Sequence, residues 1–181
     1  MKQVLWMTCG LPASGKDYWA KQLMEKEPGV YKRINKDDIR TLLDLGVWAG
    51  ENEKFVLKVR DSLIELAFKE GFSVISTDTN LSLKHSVRLK QLADQHKAEF
   101  KIQDFRNIPL DECIKRDQKR SNYVGEKVIR QMYSQFLKLK PTIVQQIEGV
   151  KRAIICDIDG TLALFGDANP YDRDFDKDVI N

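Results

Sequence analysis

Short apolar runs alternate along the chain with longer stretches in which apolar side chains recur every three or four residues. Residues 3–9 (QVLWMTC) are a β-prone run, followed by a glycine-bearing loop and a helical stretch over 16–26. YKRI (31–34) reads as a strand and residues 36–45 as a helix. A long amphipathic helix is predicted over 51–70, with Phe55, Val59, Leu63 and Ala67 spaced four apart and Gly71 closing it. FSVIS (72–76) reads as a strand buried on both faces. Residues 82–97 are helical in pattern, EFKIQDF (99–105) is strand-like, and Pro109 opens a helix that runs to about 119. A polar break from Ser121 to Gly125 precedes another amphipathic helix, through about residue 138. Pro141 and Gly149 bracket a further helix and a boundary, after which AIIC (153–156) opens something new.

Strands separated by helices predict the α/β class: a three-layer α/β/α fold on a parallel sheet with right-handed crossovers. Ligands of such sheets bind beyond the carboxyl ends of the strands. Each motif below follows a predicted strand or lies in a loop on that edge.

Composition narrows the picture modestly. The 181 residues have room for one full-sized domain and a fragment of a second, and 42% apolar content is ordinary for a chain with one buried core. A formal charge of +3 permits a nucleic-acid or other acidic substrate without requiring one. Cys9, Cys113 and Cys156 are odd in number and far apart, which argues against a disulfide framework and against zinc. Cys9 and Cys156 each end an apolar run and read as small buried hydrophobes. With no signal peptide and no apolar span of about 20 residues, a soluble cytoplasmic protein without a membrane partner is expected.

Gly10-Leu-Pro12-Ala13-Ser14-Gly15-Lys16 matches G-x-x-x-x-G-K between a strand and a helix. Its glycines let successive N–H groups face phosphates, and Lys16 adds a point charge toward the β- and γ-phosphates. Asp17 stands where the pattern has Ser or Thr. A carboxylate can hold Mg²⁺, directly or through water, but an acidic residue also suits the first turn of any helix. Asn35-Lys-Asp37-Asp38-Ile-Arg40 follows the second strand, and its Asp37 and Arg40 share a face of an early helical turn. A carboxylate that accepts a hydroxyl proton beside a cation for phosphates is what phosphoryl transfer to a hydroxyl uses. Asp78, Thr79 and Asn80 end the buried strand and read either as a capping turn or as part of an acceptor pocket. Arg116 and Arg120 sit one turn apart at a helix end, where basic residues suit the dipole or clamp transferring phosphates.

In order, GLPASGKD, INKDDIR, STDTN, KRDQKR and VIRQMY resemble the kinase domain of the bacteriophage polynucleotide kinase-phosphatase family, over most of residues 1–150. The resemblance implies a P-loop kinase with a helical lid that moves the γ-phosphate of ATP, with Mg²⁺, to the 5′-hydroxyl end of DNA or RNA in end repair. It implies that Lys16 binds phosphate, Asp37 is the general base, Arg40 contacts the acceptor-side phosphate and Arg120 the ATP phosphates. Asp78 matches an acceptor-site aspartate, and Asp17 in place of serine is the main departure. Self-association and a host-cytoplasmic setting, if the chain is phage-encoded, also follow from the resemblance.

Asp157-Ile-Asp159-Gly-Thr, after AIIC, resembles the first motif of the haloacid-dehalogenase phosphatases, whose first Asp is a nucleophile and second a general acid. Residues 151–181 thus read as the start of a 3′-phosphatase domain, too short to build its core. A truncated chain, or a split enzyme with a separate phosphatase chain, is expected, without 3′-phosphatase activity of its own. A P-loop kinase for a small metabolite would show the same ATP half. A non-catalytic nucleotide-binding module is a third possibility, raised by Asp17.

Overall fold

The computed structural model describes residues 2–138, together with the backbone of two short strands further on. The chain divides into two compact units, Met1–Leu139 and Lys140–Asn181. In the first, the elements are β1 (Val4–Cys9), α1 (Lys16–Lys26), β2 (Tyr31–Ile34), α2 (Lys36–Asp44) and α3 (Gly50–Lys69). They continue through β3 (Ser73–Ser76), α4 (Leu83–Gln95), β4 (Glu99–Asp104), α5 (Leu110–Asp117) and α6 (Glu126–Phe136). In the second unit, β5 (Ile154–Ile155) pairs antiparallel with β6 (Ala163–Leu164). The helix expected between Pro141 and Gly149, the boundary near 150, Cys156, and the Asp157 and Asp159 motif lie outside the described residues.

The four long strands form one parallel sheet in the order β2-β3-β1-β4. The α/β class with a parallel sheet flanked by helices is therefore observed as the alternation predicted. The period-2 geometry of a strand sends alternate side chains of β1 to opposite faces. Leu5, Met7 and Cys9 join Val74, Ile34 and residues of α3 and α4 in the main core. Trp6 joins Ile75, Tyr31, Ala20 and Trp19 on the α1 side. All four residues of β3 are buried, in keeping with a strand covered on both faces. A third cluster holds Leu11 of the P-loop against Cys113 and Ile114 of α5 and Ile129 of α6. The helices after β4 are thereby packed against the loop that follows β1.

The face of α3 corrects one expectation. Its buried residues are Val56, Arg60, Ile64, Ala67 and Phe68, whereas Phe55 is 58% exposed and Leu63 is also exposed. Two apolar rows run down this helix. Ala67 of the expected row is buried and Val59 packs against the core, but Phe55 and Leu63 are not inside, because a second row with the same spacing, Val56, Arg60, Ile64 and Phe68, is the buried one. The true stripe includes Arg60, which no hydrophobic pattern would select.

Candidate active site

The P-loop begins where β1 stops. Gly10 N donates to Thr79 O at 3.0 Å, and Phe105 N donates to Cys9 O at 2.7 Å, so the loop entry is pinned between the continuations of β3 and β4. A Cβ on Gly10 would lie 2.8 Å from Phe105 Cβ and 2.9 Å from Ser14 Oγ, closer than such contacts occur. Gly15 caps α1 in the left-handed region at φ 104°, which favours glycine. Ala13, at φ 58°, completes the curl, and Pro12 and Ser14 are buried within it.

Lys16 opens α1 and is only 5% exposed. Its Nζ donates to Leu11 O at 2.6 Å, Gly10 O at 3.2 Å and Ser14 Oγ at 3.4 Å. Burial pulls its pKa down to about 8, with the Asp17 charge opposing that shift and Arg120 adding to it. A cation held this way gains from any phosphate that enters. Arg116 donates through Nε to Glu112 at 2.7 Å, and its Nη1 comes within 3.9 Å of where a Gly15 Cβ would stand. Arg120 faces the buried Asp117 carboxylate at 3.6 Å. Arg116 thus lies beside the P-loop, while Arg120, just beyond the end of α5, is held by Asp117. Asp117, which sequence reasoning passed over, also accepts from Val124 N and Gly125 N at 2.9 Å each and ties the loop after α5 into place.

The second half of the site is built at the start of α2. Asn35 caps the helix, its Oδ1 accepting from Asp38 N at 2.7 Å, which sets Asp37 and Asp38 in the first turn. The Asp37 side chain is 91% exposed and accepts from Arg40 Nη1. Arg40 is largely buried, and its Nη2 donates to both Glu53 oxygens at 2.8 Å, with Nε adding a bond at 3.1 Å. Lys36 Nζ reaches the same carboxylate at 3.1 Å. Burial alone would raise the Glu53 pKa; the hydrogen bonds from Arg40 and the Lys36 charge bring it below the ordinary value. Glu53 lies on α3, thirteen residues from Arg40, so no local periodicity links the two.

Asp78 is buried at the carboxyl end of β3, where Oδ1 accepts from Lys36 N at 2.8 Å. Its Oδ2 faces Arg60 Nη1 at 3.8 Å, and both atoms lack a hydrogen-bond partner. Burial raises the Asp78 pKa against the opposing Lys36 charge. Thr79 contributes its carbonyl to the P-loop contact above. Asn80 turns inward, its amide donating to Thr8 O at 2.9 Å, so its side chain braces β1 rather than facing the edge.

Asp17 is not a free carboxylate. Arg33 of β2 reaches it through Nη1 at 2.9 Å and bonds Thr77 Oγ1 at 3.2 Å with the same nitrogen. Arg33 Nη2 pairs with Asp38. Nothing in the sequence pattern singles out Arg33, a strand residue sixteen positions from Asp17. Among the described residues no group of three or more His, Cys, Asp or Glu side chains is arranged to hold a metal ion. Asp17 nonetheless fits Mg²⁺: its side chain is 59% exposed, it is a hard oxygen donor beside Lys16 of the P-loop, and Mg²⁺ commonly takes one or two carboxylates plus substrate phosphates. Among the described residues no helix is long and apolar enough to cross a membrane.

Comparison with known proteins places this geometry in context. Residues 5–139 match the family model described as an AAA domain. A protein of Autographa californica nuclear polyhedrosis virus, provisionally named a bifunctional polynucleotide kinase/RNA ligase, is 27% identical over 191 aligned residues, covering 96% of this chain and 26% of its own length. The L-seryl-tRNA(Sec) kinase of Methanococcus maripaludis is 29% identical over 132 residues, covering 70% of this chain and 50% of the relative. The chain thus spans about a quarter to a half of the length of these curated relatives. Among solved structures, a chain of the Pnkp1/Rnl/Hen1 RNA repair complex superposes with a TM-score of 0.62 at 25% identity, covering 94% of this chain and 60% of that one. With the P-loop after β1 and the parallel sheet that carries it, the chain belongs to the AAA domain family, as a P-loop kinase domain distantly related to polynucleotide kinases.

Proposed function

We propose that this chain is an ATP-dependent polynucleotide 5′-hydroxyl kinase acting in nucleic-acid end repair. The observation that carries the reading is the start of α2. There an exposed carboxylate, Asp37, sits beside an arginine that Glu53 grips from the other side, on the same sheet edge as the P-loop. That pairing suits a nucleophilic hydroxyl and an adjacent phosphate better than it suits a plain helix terminus. Similarity to the viral kinase/ligase and to a chain of an RNA repair complex supports a nucleic-acid acceptor.

In the proposed reaction the 5′-oxygen attacks the γ-phosphorus in line and the bond to the β-γ bridging oxygen breaks, leaving ADP. Asp37 takes the hydroxyl proton. Lys16 leaves the loop carbonyls for the phosphate oxygens, Arg120 and Arg116 close over them, and water is excluded. Arg40 steadies the phosphate of the acceptor, with Asp78 and Thr79 shaping the pocket and Asn80 bracing it from behind. Mg²⁺ held by Asp17 would supply charge neutralisation on the phosphates. Residues 1–150 make up the kinase domain in this reading. Residues 151–181, with Asp157 and Asp159, are the opening of a phosphatase domain in the same reading.

The test is transfer of labelled γ-phosphate from ATP to a short 5′-hydroxyl oligonucleotide with Mg²⁺, beside its 5′-phosphorylated twin. Label on the 5′-hydroxyl strand alone is expected. Label on neither, with ATP still bound, would sink the polynucleotide reading. The similarity to L-seryl-tRNA(Sec) kinase favours a second acceptor, a hydroxyl that is not a strand end. Transfer to such a hydroxyl but not to the oligonucleotide would establish it instead.

A further inference from the structure

Asp17 puts negative charge where a triphosphate must dock, and the fold sets a guanidinium against it. Arg33 Nη1 is 2.9 Å from Asp17 Oδ1 and 3.2 Å from Thr77 Oγ1, while Nη2 holds Asp38. Asp38 is fixed in turn by Asn35, whose Nδ2 donates to it at 3.0 Å. One cation therefore spans a carboxylate of the P-loop helix and a carboxylate of the acceptor helix.

We infer that Arg33 is the resident counter-cation of Asp17, occupying that carboxylate until a divalent ion takes it and then remaining on Asp38 and Thr77. The inference rests on the reading of Asp17 as a metal ligand. Three physical points support it. A carboxylate without a counter-charge would repel nucleotide phosphates at a few ångströms, and Arg33 cancels that repulsion. A divalent ion has to break only one of the guanidinium's three contacts, since Asp38 and Thr77 keep hold of the rest. The Asp17 end is also the exposed end of the pair, with 59% of that side chain open against 31% for Arg33. Arg33 and Asp17 then act as one unit in place of a single hydroxyl ligand, and Arg33 is a positioning residue that sets how tightly the site takes metal.

The test is calorimetric titration of Mn²⁺ into the full chain saturated with ADP, with the metal–ADP equilibrium measured separately. Losing a partly exposed ion pair to Asp17 should let Arg33→Gln bind Mn²⁺ about fivefold more tightly than the wild type. Arg33→Lys keeps a cation but not the fork that spans Asp17 and Asp38, and should fall between the wild type and Arg33→Gln. Asp17→Ser should bind about tenfold more weakly, and adding Arg33→Gln to it should change affinity by less than about twofold, because the ion pair it would remove is already gone. A merely structural role for Arg33 would not confine its effect to chains that keep Asp17. Unchanged or weaker Mn²⁺ binding in Arg33→Gln overturns the inference while leaving Asp17 as ligand. Wild-type Mn²⁺ affinity in Asp17→Ser is a different result, and it overturns the metal reading beneath. Far-ultraviolet circular dichroism of each variant confirms that it is folded.

Discussion

Lys16 shows how one side chain can tie stability to ligand binding. Its folded pKa of about 8 lies below the ordinary 10.5. Between those values the unfolded chain keeps a proton that the folded chain has shed, so this residue's contribution to stability rises with pH across that window. Below it, the buried charge weighs against folding. Phosphates favour the charged form, so ATP binding near pH 9 should take up close to one proton, and affinity should fall as pH rises above about 8. Calorimetry in buffers of different ionisation heat reads this directly. A binding enthalpy independent of buffer would contradict it. Asp37, at the open end of α2, makes the opposite case, a carboxylate whose value lies in reach rather than burial. Asp37→Asn should cost turnover about 10²–10⁴-fold with the KM for ATP little changed, and a near-normal rate would remove it as the base.

At the scale of elements, the loop between α5 and α6 is held by one buried carboxylate. Asp117 accepts two backbone N–H bonds from Val124 and Gly125 and faces Arg120. Asp117→Ala leaves those donors without an acceptor, at a cost of about 1–3 kcal/mol, and loosens the segment that carries Arg120. A raised KM for ATP and faster amide exchange over residues 120–125 are expected, with exchange in β1 unchanged. Unaltered exchange in the loop would show that Leu11, Cys113 and Ile129 hold the lid without the carboxylate. The element boundaries themselves were legible to within a residue or two, because Gly71, Pro109 and the Ser121–Gly125 break punctuate the chain where the physics of helix ends requires. The facing of α3 was legible only in part, at Val59 and Ala67 but not at Phe55 and Leu63. Its two apolar rows compete, and only the sheet it packs on decides that Val56, Arg60 and Ile64 go inside.

For the molecule as a whole, the carboxyl edge of the sheet holds a buried cation whose charge an entering phosphate would offset. Burial shifts Lys16 toward its neutral form. ATP with Mg²⁺ at a hundred times its dissociation constant should stabilise the fold by about 2.7 kcal/mol. For a chain of this size that corresponds to a thermal midpoint higher by roughly 5–10 °C. Lys16→Ala should abolish most of the shift while leaving the chain folded. An equal shift in that variant would mean that the nucleotide binds elsewhere.

The order of strands and helices, the parallel α/β class, the P-loop and the acidic turn with Asp37 and Arg40 were all written in local sequence. Each depends on residues a few positions apart, where period, caps and glycines act. What only the tertiary structure decided are contacts between segments that the chain separates and the sheet brings together. Glu53 meets Arg40 from another helix, Arg33 crosses from β2 to Asp17, and Asn80 turns inward to brace β1. Charge pairs of this kind have no periodicity. Their partners are chosen by strand order and register, which a parallel sheet fixes through long crossovers rather than through neighbouring residues.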